Sequence, residues 1–377
     1  PPRERAFFER SRERTTGAMA QRLRLGILGA ARNVPFTVVE PIRVNPELAA
    51  MVEIVGIASL EKAEAEKSAK DWGIPKAFDS YEALLADPSV DAVYNAVPLS
   101  VRCSWSVKAL QAGKHVLSET PIGCNALEAV ILQRAAEDAG KVMLQGTHPT
   151  CHPVTKRVRQ LIMDNKIGPI EKIELDLPVA HGLHGKLICG KTGATMSLGV
   201  HAGAIVRALA GQEVRVVSAI AQPSKEDPSI DIDMTCELIM PSGAGARIHL
   251  SVDEQSRKNP SVFTVIGCNG IIRCKEWFQG NGTSANEIQL EQFEGVGDKF
   301  TEYVDNTSKR DTFYFQLMTF VEEVAEQANR QGSVQTKDDM PGMPWHYTKG
   351  NGPGDAVRNT ALVDCIFRAA GMRPRAT

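Results

Sequence analysis

Leu23-Arg24-Leu25-Gly26-Ile27-Leu28-Gly29-Ala30-Ala31-Arg32-Asn33-Val34 is the stretch on which the reading of the chain turns. Leu23–Leu28 is a short apolar run, the pattern of a strand with both faces covered, and it passes directly into a glycine turn. A tight turn between a first strand and a helix lets backbone N–H groups and the positive end of the helix approach a phosphate. Gly29 takes the tight-turn place of a G-x-G-x-x-G/A pattern, while Ala31 and Val34 stand where the second and third small residues would be. Alone the match is weak. Its place strengthens it, because a helix over Pro35–Val44 and a second apolar strand over Val52–Ala58 complete a βαβ opening. The expectation is a dinucleotide-binding domain.

Further along, the alternation continues. Lys62–Trp72 has helical composition and ends at Gly73. A short helix at Asp79–Leu85 precedes a strand at Ala92–Ala96, and a helix at Val101–Ala112 closes at Gly113. His115–Ser118 is the next strand, Ala126–Ala139 a helix closed by Gly140, and Val142–Gly146 a further strand. Strands alternating with glycine-punctuated helices argue a doubly wound parallel sheet. After a helix at Val154–Asn165 the rhythm changes to strands at Ile170–Leu177, Val214–Ala221, Asp233–Met240, Ala246–Ser251, Ser261–Ile266, Gly270–Lys275 and Ile288–Phe293. Helices are expected at His201–Ala210, Thr312–Gln331 and Asp355–Ala370, and the Pro- and Gly-rich Pro341–Gly354 reads as a loop. The fold class is therefore α/β: an N-terminal Rossmann sheet over 21–148, then an α+β domain over 149–377 with a large, mostly antiparallel open sheet. The last helix is expected to pack back toward the first domain.

Composition narrows the partners. With 43 Lys and Arg against 45 Asp and Glu, the charge offers no general attraction to nucleic acid or an anionic membrane. No apolar run reaches the roughly 20 residues of a membrane span. Eight cysteines without a CxxC pair read as reduced thiols in a cytoplasmic protein, not as disulfides or a zinc site. Residues 1–20, with Gly17-Ala18-Met19-Ala20, read as a tag-like or flexible extension rather than a secretory signal. His181-Gly182-Leu183-His184 has helical ligand spacing, but its glycines and the lack of a carboxylate cluster argue against a metal.

The ribose reader should follow the second strand, within Ser59-Leu60-Glu61-Lys62. Glu61 suits a ribose 2′-OH and thus NAD; Lys62 or Arg32 suits a 2′-phosphate and thus NADP. Glu61 and Lys62 read equally well as the start of a solvated helix. NAD versus NADP stays open.

Val90-Asp91-Ala92-Val93-Tyr94-Asn95-Ala96-Val97-Pro98 and Ala109-Leu110-Gln111-Ala112-Gly113-Lys114-His115-Val116-Leu117-Ser118-Glu119-Thr120-Pro121 closely resemble the glucose-fructose oxidoreductase/inositol dehydrogenase (Gfo/Idh/MocA) superfamily. Leu25–Arg32, His152-Pro153, Gly199-Val200-His201 and the closing helix look like its sugar and dihydrodiol dehydrogenase branch. The resemblance runs from about residue 23 to 371. It implies hydride transfer between NAD or NADP and a sugar, polyol or diol, and a homodimer or tetramer built through the C-terminal sheet. It also implies that Gly29, Ala31, Arg32, Asn33, Ser59, Glu61, Lys62, Val97, Pro98, Glu119, Thr120 and Pro121 line the cofactor. His148, His152, His184, Lys186 and His201 would face the substrate, with His201, Thr120 and Ser197 as catalytic candidates.

The departures carry as much information. The family's Glu-Lys-Pro is Glu119-Thr120-Pro121, so a neutral hydroxyl replaces an ammonium that can stabilise an alkoxide and pass a proton. Pro98-Leu99-Ser100-Val101-Arg102 replaces Pro-Asn-x-x-His, Pro149-Thr150-Cys151 replaces an aromatic-Arg-aromatic element, and Ser197 stands where Asp is usual. A redox-silent nucleotide-binding sensor or scaffold, and a non-redox lyase, cyclase or isomerase, are the alternatives these losses raise.

Overall fold

The computed structural model describes residues 21–178, 192–253, 259–278, 280, 284–293, 299–304, 310–332 and 353–374. Two compact units emerge. One gathers the described residues up to Glu119 with Ile131–Gln145 and the chain from Leu317; the other gathers Thr120–Val130, Gly146–Gln316 and the last helix.

The first unit is built on five parallel strands: β1 (Leu23–Leu28), β2 (Val52–Ala58), β3 (Ala92–Asn95), β4 (His115–Ser118) and β5 (Met143–Gln145). Their order is β2-β1-β3-β4-β5. Such an order reverses direction between β1 and β3, and ligands bind α/β sheets in the crevice at that reversal, beyond the carboxyl ends of the strands. Between the strands run α1 (Glu40–Val44), α2 (Pro46–Met51), α3 (Lys62–Trp72), α4 (Tyr81–Ala86), α5 (Leu99–Gln111) and α6 (Ala126–Ala139). The expected helix over Pro35–Val44 divides into a π-helical opening at Pro35–Val39 followed by α1. Apolar runs decide the strands: the residues of β3 are all buried, as are Met143 and Leu144 of β5. Gly73 ends α3 in a left-handed conformation, where its N–H returns to the last carbonyls.

The second unit holds α7 (Pro153–Met163) and α8 (Gly193–Ala210), with the last helix, α10 (Pro353–Ala369); α9 spans Thr312–Gly332. Its eight-stranded sheet comprises β6 (Ile170–Pro178), β7 (Arg215–Pro223), β8 (Asp231–Ile239), β9 (Gly245–Ser251), β10 (Val262–Gly267), β11 (Gly270–Lys275), β12 (Glu287–Gln292) and β13 (Lys299–Tyr303). The order is β13-β12-β11-β10-β6-β9-β8-β7, antiparallel throughout except for the β6–β9 pair. One face is apolar: Ile173 and Leu175 of β6, Cys236 and Leu238 of β8 and Ile248 of β9 are buried with Leu198, Ile205 and Leu209 of α8. The alternate residues form a polar face, on which His249 lies between Asp176 and Asp233, 3.1 and 2.9 Å away.

Where the sequence suggests a helix from His201, the helix begins at Gly193 and places His201 in its interior. Asp231 caps it, accepting from the Thr195 N–H and hydroxyl at 2.7 Å each. Gly199 and Gly203 sit one helical turn apart where α10 comes close; a Cβ at Gly203 would lie 2.9 Å from Leu362. Arg207 ties the two helices further, meeting Asp355 at 2.6 Å and Asn359 at 2.5 Å while also bonding Glu213. Cys268 is exposed and Cys274 buried, and both are free thiols. No described helix is long and apolar enough to cross a membrane.

Candidate active site

In the first unit the cofactor candidates converge at the reversal point. The Gly29 N–H bonds the carbonyl of Ala58 at 2.8 Å, which brings the turn beside the end of β2. Gly29 has φ +93°, and a Cβ there would lie 2.9 Å from the Ala96 and Val97 backbone. Only glycine fits this cradle, in which three chain segments meet. The Asn33 side chain then reaches across to Glu119, donating to its Oε1 at 2.5 Å. Tyr94, buried in β3, donates its hydroxyl to the same oxygen and lies 3.0 Å from the Thr37 hydroxyl. Burial, then the charge of Glu119, push the Tyr94 phenol well above its ordinary value, so it stays a donor. Thus Glu119 fastens the turn to the ends of β3 and β4.

Val97 is buried and Pro98 exposed. The Val97 carbonyl accepts from the Arg102 guanidinium at 3.0 and 3.2 Å, and the Asn95 amide donates to Ser106 at 2.8 Å. Arg102, the residue standing for the family's histidine, therefore braces the end of β3. At the end of β2, Ser59 is buried and gives its hydroxyl proton to Glu64. Lys62 pairs with Asp79 at 2.7 Å, while Glu61, Arg32 and Leu60 are exposed.

In the second unit a polar cluster stands on a cis Thr120–Pro121 bond, the short 3-10 helix His148–Cys151 and the interior of α8. Thr120 Oγ1 lies 2.9 Å from His201 Nε2. The other ring nitrogen, Nδ1, is buried and makes no hydrogen bond. Burial holds the His201 pKa down to about 3, so its imidazole is neutral at any ordinary pH. His148 packs on it, with ring centroids 4.9 Å apart, and Phe278 stands edge-on to His201 at 5.1 Å. The Thr312 hydroxyl lies 3.3 Å from the Phe278 carbonyl, to which it donates, and 2.7 Å from His148 Nδ1. With its proton so placed, Thr312 accepts from the His148 Nδ1–H, fixing the tautomer of a ring that burial keeps neutral. His152 caps α7 instead, its Nδ1 accepting from the Val154 N–H at 3.3 Å. Ser197 bonds Thr192 at 2.5 Å, on a helix rather than in a turn. His184 and Lys186 lie outside the described residues.

So the sequence candidates Thr120, His201 and His148 come together, whereas His152 and Ser197 take up helix-end contacts. Thr312, Phe278, Tyr94 and Thr37 escape the sequence reading. The last two carry a signal, since a tyrosine inside an apolar strand needs a buried partner for its hydroxyl. Thr312 and Phe278 carry none, because only the fold brings them to His148. Among the described residues no group of three or more His, Cys, Asp or Glu is placed to hold a metal ion.

These features define a class: a dinucleotide-binding α/β unit joined to an open-sheet unit with a histidine–hydroxyl cluster. The family model for the oxidoreductase family with an NAD-binding Rossmann fold matches residues 23–147, and the GFO/IDH/MocA C-terminal domain matches 155–273. The chain belongs to the GFO/IDH/MocA oxidoreductase family. It is 29% identical over 274 residues to a D-xylose 1-dehydrogenase (NADP(+)) of Haloferax volcanii, covering 70% of this chain and 79% of that one. A trans-1,2-dihydrobenzene-1,2-diol dehydrogenase of Oryctolagus cuniculus is 26% identical over 227 residues, covering 59% and 68%. Among solved structures, an inositol dehydrogenase homolog of Azotobacter vinelandii with NADH and myo-inositol aligns with a TM-score of 0.77 at 15% identity, over 94% of this chain and 97% of that one. A 3-ketoreductase of Actinomadura kijaniata in complex with NADP aligns at 0.74 and 19%, over 94% and 98%. These structures show the same fold.

Proposed function

We propose that the protein transfers hydride between a nicotinamide dinucleotide and a carbon of a sugar, polyol or diol, with His201 exchanging the hydroxyl proton. The observation that carries this is the Thr120–His201 contact at 2.9 Å. It links a neutral imidazole to the residue that follows Glu119, the anchor of the cofactor turn. A Cβ at Gly29 would meet the Ala96 and Val97 backbone, so the turn closes tightly on the end of β3, and this close approach supports a dinucleotide turn there. When bound, the dinucleotide supplies a nicotinamide ring able to take or give hydride.

The chain's own residues then have separate tasks. His201 is neutral and can accept a proton, as a weak base whose pKa burial holds near 3; Thr120 contributes a hydrogen bond to it but no positive charge. His148, locked by Thr312, offers a second neutral imidazole beside the first. With no ammonium at Thr120, alkoxide stabilisation by the described residues of this cluster rests on hydrogen bonds, which favours slow turnover.

The test is cofactor reduction or oxidation across a panel of sugars, polyols and diols, with the variants His201→Ala and Thr120→Val. His201→Ala is expected to lower kcat by about a hundredfold or more, the usual worth of a positioned acid–base group. Unchanged turnover in His201→Ala would remove its role. The replacement of the family's lysine by Thr120 favours one other reading, a redox-silent nucleotide-binding protein. That reading gains if the dinucleotide binds tightly and no member of the panel turns over.

Copies of the chain are proposed to pair through the polar face of the eight-stranded sheet, where Ile220 of β7 is 75% exposed. Sedimentation velocity reads this directly, and a monomer at working concentration would exclude it. A cytoplasmic location is part of the proposal, supported by the described cysteines, which are free thiols.

A further inference from the structure

We infer that the ribose end of the site selects NAD over NADP, through Glu64 holding the Ser59 hydroxyl and Asp79 holding Lys62. The inference rests on reading the Gly29 turn as the dinucleotide site. In such sheets the 2′ position of the adenosine ribose meets the residues just after the second strand. Here those are Ser59 to Lys62, and the Gly29–Ala58 hydrogen bond at 2.8 Å ties that strand end to the phosphate turn.

A 2′-phosphate needs donors and positive charge; a 2′-hydroxyl needs an acceptor. Ser59 has one hydroxyl proton, and it goes to the Glu64 carboxylate. The Tyr81 phenol also meets the Ser59 hydroxyl, so toward a ligand Ser59 presents its remaining lone pair, which accepts from a hydroxyl and meets a phosphate as like with like. Lys62, the nearest cation in sequence, is drawn to Asp79 at 2.7 Å and to Glu66 at 3.9 Å. The side chain between them, Leu60, is 81% exposed and carries no charge. Glu61 and Glu64 are both exposed carboxylates. A phosphate bearing nearly two negative charges would sit among them without a free cation from this segment. Arg32, exposed in the turn, is the one rival reader. The relatives do not decide the matter, since one is named for NADP(+) and a solved neighbour holds NADH.

The test is calorimetric titration of the full chain with NAD+ and NADP+, repeated with ADP-ribose and its 2′-phosphate, which isolate the ribose end from the nicotinamide. NAD+ and ADP-ribose are expected to bind at least about tenfold more tightly than their phosphorylated counterparts, the worth of one unscreened like-charge contact. In Glu64→Gln combined with Leu60→Arg the ratio should shrink tenfold or invert, with thermal melting confirming that the variant folds. Equal or tighter binding of NADP+ by the unaltered chain overturns the inference, and its collapse in Arg32→Ala would assign the phosphate to Arg32. An unchanged ratio in the double variant also overturns it, leaving the hydride-transfer reading intact. Failure of all four ligands to bind would instead remove the dinucleotide reading beneath it.

Discussion

Replacing Gly29 by alanine places two separate costs on one added carbon. The first is conformational: at φ +93° an L-residue is strained by about 1–3 kcal/mol. The second is steric, because the new Cβ would lie 2.9 Å from the Ala96 carbonyl carbon and oxygen and from the Val97 nitrogen. These are backbone atoms in a buried sheet and cannot rotate away. Relief has to come from moving the turn, which breaks the Gly29–Ala58 hydrogen bond and shifts Asn33 from Glu119. Gly113→Ala supplies the control, for Gly113 has φ +75° but meets nothing within 4 Å. It should show the first cost alone. Gly113→Ala is thus expected to lose about 1–2 kcal/mol, and Gly29→Ala about 2–4 kcal/mol, the difference being the clash and the lost hydrogen bond. At a few degrees per kcal/mol, the two melting temperatures should separate by several degrees. Calorimetric titration with NAD+ adds the functional arm: Gly113→Ala binds as the parent does, while Gly29→Ala binds at least about tenfold more weakly. If both variants melt together and both bind NAD+ normally, the Gly29 turn is not where the backbone closes on a dinucleotide.

Two further outcomes follow from the buried polar groups. His115, His152 and His201 have folded pKa values held by burial at about 4, about 4 and about 3, below the unfolded value near 6.5. The unfolded chain takes up protons first, so the stability present above pH 6.5 is lost as pH falls toward 4, by about 2 kcal/mol per histidine near pH 5. Denaturant titration from pH 8 to pH 5 should show this fall, partly offset because His249, raised to about 9 by Asp176 and Asp233, gains stability as pH falls from 8 toward 6.5; a flat profile would contradict the burial of the three rings. Arg207→Ala leaves the buried Asp355 without its charge partner, keeping only the Asn359 amide at 3.2 Å, and should cost about 3–5 kcal/mol, read by denaturant unfolding; a loss below 1 kcal/mol would mean that solvent or a neighbour compensates Asp355.

Much of the first unit is legible in the sequence because its strands are short apolar runs and its helices end in glycine. The helix Lys62–Trp72 and its left-handed Gly73 are read to the residue. Legibility fails where a residue's job is set from far away. The helix expected from His201 starts eight residues earlier, with Gly199 and Gly203 inside it where another helix approaches; its cap comes from Asp231, on a distant strand. The small helix Pro46–Met51 and the edge strand Lys299–Tyr303 lack strong periodicity and go unread. The candidate site divides the same way. Gly29 is found from its turn. The family resemblance is what singles out Thr120 and His201, residues far apart in sequence whose side chains meet in the fold. Thr312, which fixes the tautomer of His148, belongs to a helix with no chemical signature of its own.

Hydride transfer itself is tested most directly with a polyol or sugar panel deuterated at its carbinol carbons, incubated with the protein and oxidised dinucleotide. Deuterium is expected on the nicotinamide ring by mass spectrometry, accumulating at least about a hundredfold more slowly in His201→Ala. Tight dinucleotide binding with no label transferred from any member of the panel would contradict hydride transfer.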